Sequence, residues 1–126
     1  MKIFDFYLKA LKNYFVIEGR ATRAEFWYFV LVSIIISILL NLLGGLGFIF
    51  SLLNLLYGLF ILIPATTVEI RRLHDIGKSG WMILIGLIPL IGWVWIIYLL
   101  AKDGDPGENK YGPNPKEQVQ ASTPIA

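Results

Sequence analysis

The stretch FWYFVLVSIIISILLNLLGGLGFIFSLLNLLYGLFILIPATTV, residues 26–68, contains no Asp, Glu, Lys or Arg in 43 positions. Bilayer hydrocarbon is about 30 Å thick, so a crossing helix needs about 20 mostly apolar residues. The stretch therefore has room for two crossings, about 25–43 and 46–64. The uncharged turn GGLG, Gly44 to Gly47, is short enough to require that the second return antiparallel beside the first. A second charge-free run, Ser79 to Ala101, has room for a third crossing at about 81–101. The fold class expected is all-α: an integral membrane protein with three transmembrane helices preceded by a short amphipathic helix at the membrane interface. One membrane domain covers residues 1–115, and a flexible C-terminal tail covers 116–126.

Composition agrees with this reading. The chain of 126 residues is 56% hydrophobic and 16% charged, against about 25% charged in an ordinary soluble domain. A net charge of +2 without basic blocks gives no reason to expect nucleic acid. With no cysteine, disulfides, thiolate metal sites and Cys nucleophiles are excluded. The first 25 residues mix Lys2, Asp5, Lys9, Lys12, Glu18, Arg20, Arg23 and Glu25, unlike a signal-peptide leader, so the first crossing is expected to act as an uncleaved anchor.

Working outward, residues 3–15, IFDFYLKALKNYF, place Phe4, Tyr7, Leu8, Leu11 and Phe15 at helical spacing. Such a helix can lie in the interface or pack on its own protein. Thr22 suits an N-cap, with Glu25 three residues later as in a capping box. Pro64 is expected to kink the second long helix without ending it, and Gly77 to end it. Pro89 and Gly92 interrupt the third apolar run. A kinked crossing is expected there; a re-entrant hairpin turning at Pro89–Gly92 is the lesser alternative, because its limbs of about nine residues would be too short to cross. Ser33, Ser37 and Asn41 make one polar stripe; Ser51, Asn54 and Gly58 make a comparable one. Both are assigned to helix packing.

Lys and Arg fall five in the N-terminal segment, none in the Gly turn, three in residues 65–80 and three in the tail. Three crossings put the first and third groups together, so that side, with the N-terminus, is expected to be cytoplasmic and the tail outside. The re-entrant alternative returns the tail to the cytoplasm.

The antiparallel pair brings Arg20, Arg23 and Glu25 level with Glu69, Arg71, Arg72, His74, Asp75 and Lys78. Helical spacing allows Arg71 to pair with Asp75 and Glu69 with Arg72. Arg20, Arg23, Arg71 and Arg72 are the candidate lipid- or phosphate-binding residues, because guanidinium forks suit phosphate oxygens. Glu25, Glu69, His74, Asp75 and Lys78 form the candidate acid–base or ion-pair layer. His74 and Asp75 are neighbours on a helix, about 100° apart, and need not touch. One histidine and no cysteine make a poor metal set, so no metal and no cofactor is expected. Asp103, Asp105, Glu108 and Asn109 lack the spacing of an EF-hand, and Pro106–Gly107 reads as a turn.

Four segments, GRATRAEFW (19–27), RRLHDIGKSGW (71–81), IPLIGWVW (88–95) and GENKYGPNP (107–115), occur in the same order as in the bacterial domain of unknown function 805 family, which the chain resembles over about residues 1–115. Lys110 and Asn114 stand where Arg and Asp are commoner in that family. The resemblance implies a small multi-pass inner-membrane protein and assigns no catalytic residue. The function expected is a non-catalytic interaction or structural element whose charged cytoplasmic layer contacts anionic lipid headgroups or a partner. A homo-oligomeric transport or channel component is the second reading. A membrane enzyme acting on phosphorylated or lipid substrates through His74 and Asp75 is the third.

Overall fold

A computed structural model describes residues 3–116. It contains α1 (Ile3–Lys12), α2 (Arg23–Leu43), α3 (Phe48–Asp75) and α4 (Ile91–Ala101), with 3-10 helices at Gly44–Leu46 and Gly80–Leu87. The described residues form no strand, only an isolated bridge between Asn109 and Gly112. The chain divides into two units, residues 1–15 with 24–67, and residues 16–23 with 68–126. Residues 117–126, and with them most of the expected tail, lie outside the described residues.

In the first unit, α2 and α3 are long and apolar enough to cross a membrane. Within the most apolar part of each, only 11% and 6% of residues are buried. The core helix of a soluble protein shows the reverse. Ile35, Leu39, Leu42, Leu55, Leu59 and Leu62 are each about half exposed or more, as expected where lipid is the solvent.

α1 packs on these helices through a narrow stripe. Tyr7 and Ala10 are buried. The Tyr7 ring stacks on Phe29 of α2, and its hydroxyl lies 2.9 Å from that of Tyr57 on α3. Phe6 stacks on Tyr28, and Lys9 faces the buried Glu25 at 4.0 Å. α1 thus contacts its own protein, while Ile3 and Phe4 stay exposed.

α3 continues through Pro64. Proline has no N–H, so the carbonyl four residues earlier, Phe60, loses its helical donor. The Tyr14 hydroxyl donates to that carbonyl at 2.6 Å, and the two rings lie 5.3 Å apart. Thr67 Oγ1 donates to the Tyr14 carbonyl at 3.1 Å. Tyr14→Phe keeps the ring and removes the donor. It is expected to lower stability by about 1–3 kcal/mol, the cost of an unsatisfied polar group, measured as thermal unfolding in mild detergent.

Ser33, Ser37, Asn41 and Asn54 share one shallow groove of about 260 Å³ with Ile34 and Ile38. Ser51 bonds across the turn to the Gly44 carbonyl at 3.4 Å. A Cβ on Gly58 would meet nothing within 4 Å among the described residues.

In the second unit, α3 ends in a Schellman motif. Gly77 has φ +76°, its N–H bonds to the His74 carbonyl, and the Lys78 N–H bonds to the Leu73 carbonyl. The run over 81–101, expected to be interrupted at Pro89 and Gly92, is divided there into the 3-10 helix and α4. Pro89 drives Ile88 into extended backbone, which closes the 3-10 helix, and Leu90 then adopts φ +62°. The two limbs fold back on one another. Trp93 Nε1 donates to the Gly86 carbonyl at 2.9 Å, and a Cβ on Gly92 would overlap the Ile85 carbonyl. Both ends of the hairpin return to the last turns of α3. Gly80 abuts Ile70, and the Leu100 carbonyl accepts from Arg72 Nε at 2.9 Å. Limbs of 8 and 11 residues are each too short for a crossing.

Candidate functional site

The charges of the second unit converge on Asp75, at the C-terminal end of α3. Arg20 Nε donates to its Oδ1 and Arg72 Nη1 to its Oδ2, both at 2.9 Å. The three side chains are almost inaccessible, at 1%, 0% and 3% for Arg20, Arg72 and Asp75. Arg20 also binds four backbone carbonyls, those of Asp75, Asp105, Gly107 and Gly112. Arg72 binds the carbonyls of Leu100 and Lys102, so it caps the C-terminus of α4 where a cation suits the helix dipole. The Asp105 N–H donates to the Asp75 carbonyl at 2.7 Å, and a Cβ on Gly104 would overlap the Asp75 carboxylate. The segment around Arg20, the end of α3, the end of α4 and the 102–112 loop therefore form one knot.

Burial and pairing oppose each other in this knot. Burial pushes the Asp75 carboxyl above its ordinary value against the pull of Arg20 and Arg72. Burial also lowers the Arg72 guanidinium, against the pull of Asp75. The pairings differ from those expected from helical spacing alone. Asp75 takes Arg72, three residues away, and the distant Arg20. All three Arg72 nitrogens go to Asp75, Leu100 and Lys102, leaving none for Glu69, whose carboxyl burial raises.

Arg20, Arg23 and Arg72 are brought together, yet Arg20 and Arg72 are engaged internally and present no fork to an outside phosphate. Arg23 is 46% exposed and reaches Asp103 at 3.5 Å. Arg71 is buried, and its carbonyl accepts from the Ala21 N–H at 2.9 Å. Lys78 is exposed. Glu25 belongs to the first unit, where it faces Lys9.

His74 and Asp75 do not meet. His74 Nδ1 lies 3.0 Å from the Gly19 carbonyl. A carbonyl only accepts, so Nδ1 carries the proton and the neutral ring presents Nε2 as an acceptor. Tyr111 stacks on the imidazole with centroids 3.8 Å apart and planes 5° apart. Asn109 donates to the His74 carbonyl and to Asp105. Among the described residues no group of three His, Asp or Glu side chains is placed to hold a metal ion. Beside the stack lies a cavity of about 390 Å³, lined by Ile17, Ile70, Ser79, Trp81 and Ile83 as well as the two rings.

Burial holds the His74 pKa below the ordinary histidine value; nearby Lys110 lowers it further and the Gly19 bond opposes both. The folded value is below the unfolded one, so this contribution to stability is complete above about pH 6.5 and is lost as pH falls from there toward the folded value. Glu69, with a raised carboxyl, works in the opposite sense. The melting temperature of the wild type is expected to drop more on acidification below that point than that of His74→Phe, and the difference isolates His74.

The knot and the stack lie inside residues 14–113, which match the family described as a protein of unknown function (DUF805). The chain belongs to the DUF805 family. Inner membrane protein YhaH of Escherichia coli strain K12 is 46% identical over 121 residues, covering 89% of this chain and 97% of YhaH. Inner membrane protein YhaI of the same strain is 38% identical over 113 residues, covering 89% and 96%. The uncharacterized protein YiiR of that strain is 30% identical over 127 residues, covering 78% and 84%. No solved structure matches. The DUF805 match starts at residue 14, so it takes in Tyr14 and leaves α1 outside. Reasoning from charge and spacing weighed Asp105 and Asn109 only as possible calcium ligands and passed over Tyr111. The signal for Asn109 and Tyr111 was the motif GENKYGPNP (107–115), whose carbonyls and ring have no charge pattern to mark them.

Proposed function

We propose that this DUF805 chain is a multi-pass protein of the bacterial inner membrane, non-catalytic, acting as a structural or interaction element. Its N-terminus and charged layer face the cytoplasm. α2 and the apolar part of α3 are its two crossings, α1 lies along the interface, and the 80–101 hairpin is re-entrant. The observation that carries this reading is the Arg20–Asp75–Arg72 knot. It engages the chain's strongest chemical groups in holding the 102–112 loop to the end of α3. Reactive carboxylates and cations serve assembly here, and contact with headgroups or a partner is left to the exposed Arg23, Lys78, Lys102, Lys110 and Lys116. Support for the membrane comes from the exposed apolar helices and from the relatives named inner membrane proteins.

A second reading rests on the groove of Ser33, Ser37, Asn41 and Asn54. Polar side chains at hydrocarbon depth are costly unless covered or hydrated, so an oligomer would use them as an interface or as the wall of a solute path. Native mass spectrometry of protein released in mild detergent separates the two. A monomer is expected from the first reading. A defined oligomer that dissociates on Asn41→Leu would replace it with the second.

A further inference from the structure

We infer that the cavity beside the His74–Tyr111 stack is a binding site for a membrane phospholipid whose headgroup carries a primary ammonium. The inference rests on the membrane reading above and goes beyond it by naming a ligand and a place. Ile17, Ile70, Trp81 and Ile83 give the site apolar walls suited to an acyl chain, and Trp81 is 78% exposed at its edge. The polar side is built by residues of three separate segments. His74 is nine-tenths buried, and its Nδ1 is fixed by the Gly19 carbonyl. The Gly19 bond leaves Nε2 of the neutral ring as an acceptor, and the Tyr111 hydroxyl stands on the same stack. Polar atoms on a stack beside an apolar cavity suit a ligand with both polar and apolar parts.

The polar groups set the headgroup. Lys110 Nζ lies 5.1 Å from the Tyr111 ring centroid. Lys110, beside the Tyr111 ring, is a cation suited to a phosphate, and Nε2 is an acceptor suited to an ammonium N–H. The phosphate goes to Lys110 and the Tyr111 hydroxyl; the ammonium donates to His74 Nε2. A quaternary ammonium has no N–H to give Nε2.

The test uses the full chain, stripped of lipid in detergent and titrated with phosphatidylethanolamine or phosphatidylcholine of the same acyl chains under native mass spectrometry. These lipids have the same net charge; phosphatidylcholine carries three methyl groups in place of the three N–H donors. Phosphatidylethanolamine is expected to be retained about tenfold better, the size of one buried hydrogen-bond partner gained. His74→Phe keeps a stacked ring and should erase the preference while leaving overall retention intact. Ile83→Trp, which fills the cavity without touching the knot, should lose both lipids even if the His74 variant does not fold. Lys110→Gln should lower retention about fivefold. Equal binding of the two lipids, or a preference that survives in His74→Phe, would overturn the inference. So would displacement by soluble phosphoethanolamine at similar concentration, which would make the ligand a free headgroup. Loss of the lipid site leaves membrane topology untouched, so failure here is distinct from failure of the proposed function.

Discussion

Arg72→Ala is expected to destabilise the protein by about 3–5 kcal/mol, the cost of breaking a buried ion pair. The guanidinium is fully buried and binds Asp75 together with the Leu100 and Lys102 carbonyls. Its removal leaves a buried carboxylate with one partner instead of two and uncaps α4. Arg72→Lys should recover little of the loss, because a single ammonium cannot reach three acceptors in the plane that a guanidinium spans. Thermal unfolding in mild detergent measures the loss. Limited proteolysis should show new cleavage within residues 102–112, which the knot otherwise holds.

Asp75→Ala is expected to cost at least as much, by a different route. Removing the carboxylate leaves the Arg20 and Arg72 guanidinium groups beside each other without a counter-charge, in surroundings where an unpaired ion is poorly tolerated. The Asp75→Ala and Arg72→Ala losses should not add in the double variant. With both partners gone, only Arg20 lacks its carboxylate, so the combined loss falls short of the sum, and the shortfall measures the coupling. An additive double variant would show that the two residues act separately.

The apolar helices were legible because hydropathy and length report directly on lipid exposure. The run from 26 to 68 resolved into α2 and α3 with boundaries close to those expected, and Gly77 ended α3 as its backbone freedom implies. The third apolar run was read as a kinked crossing with a re-entrant hairpin as the alternative, because hydropathy alone allows either. What decided its form was backbone chemistry, the missing N–H of Pro89 and the absence of a Cβ at Gly92. The role of Tyr14 was hidden for a related reason. The partner it serves is a carbonyl freed by a proline 50 residues later, and no side-chain pattern reports that.

The candidate site was legible as a set and not as a wiring. Arg20, Arg72, His74 and Asp75 were all marked by charge. Their pairings were assigned within one helix, where spacing can be counted. The structure instead joins Asp75 to Arg20 across 55 residues and Arg20 to loop carbonyls up to 92 residues away. Carbonyl partners are independent of residue type, so charge spacing cannot find them. For the same reason the arginines looked available for phosphate when two of them are enclosed.

The central claim is that the knot holds residues 16–23, the end of α3 and the 102–112 loop on one side of the membrane, with the 80–101 hairpin re-entrant. Because the chain contains no cysteine, single cysteines at the exposed positions Glu18, Lys78 and Glu108 report each segment separately. In intact cells all three are expected to be protected from a membrane-impermeant maleimide, and in inverted membrane vesicles all three are expected to react. Labelling of Glu108→Cys from outside while Glu18→Cys and Lys78→Cys stay protected would show that residues 80–101 cross the membrane, and would contradict the account.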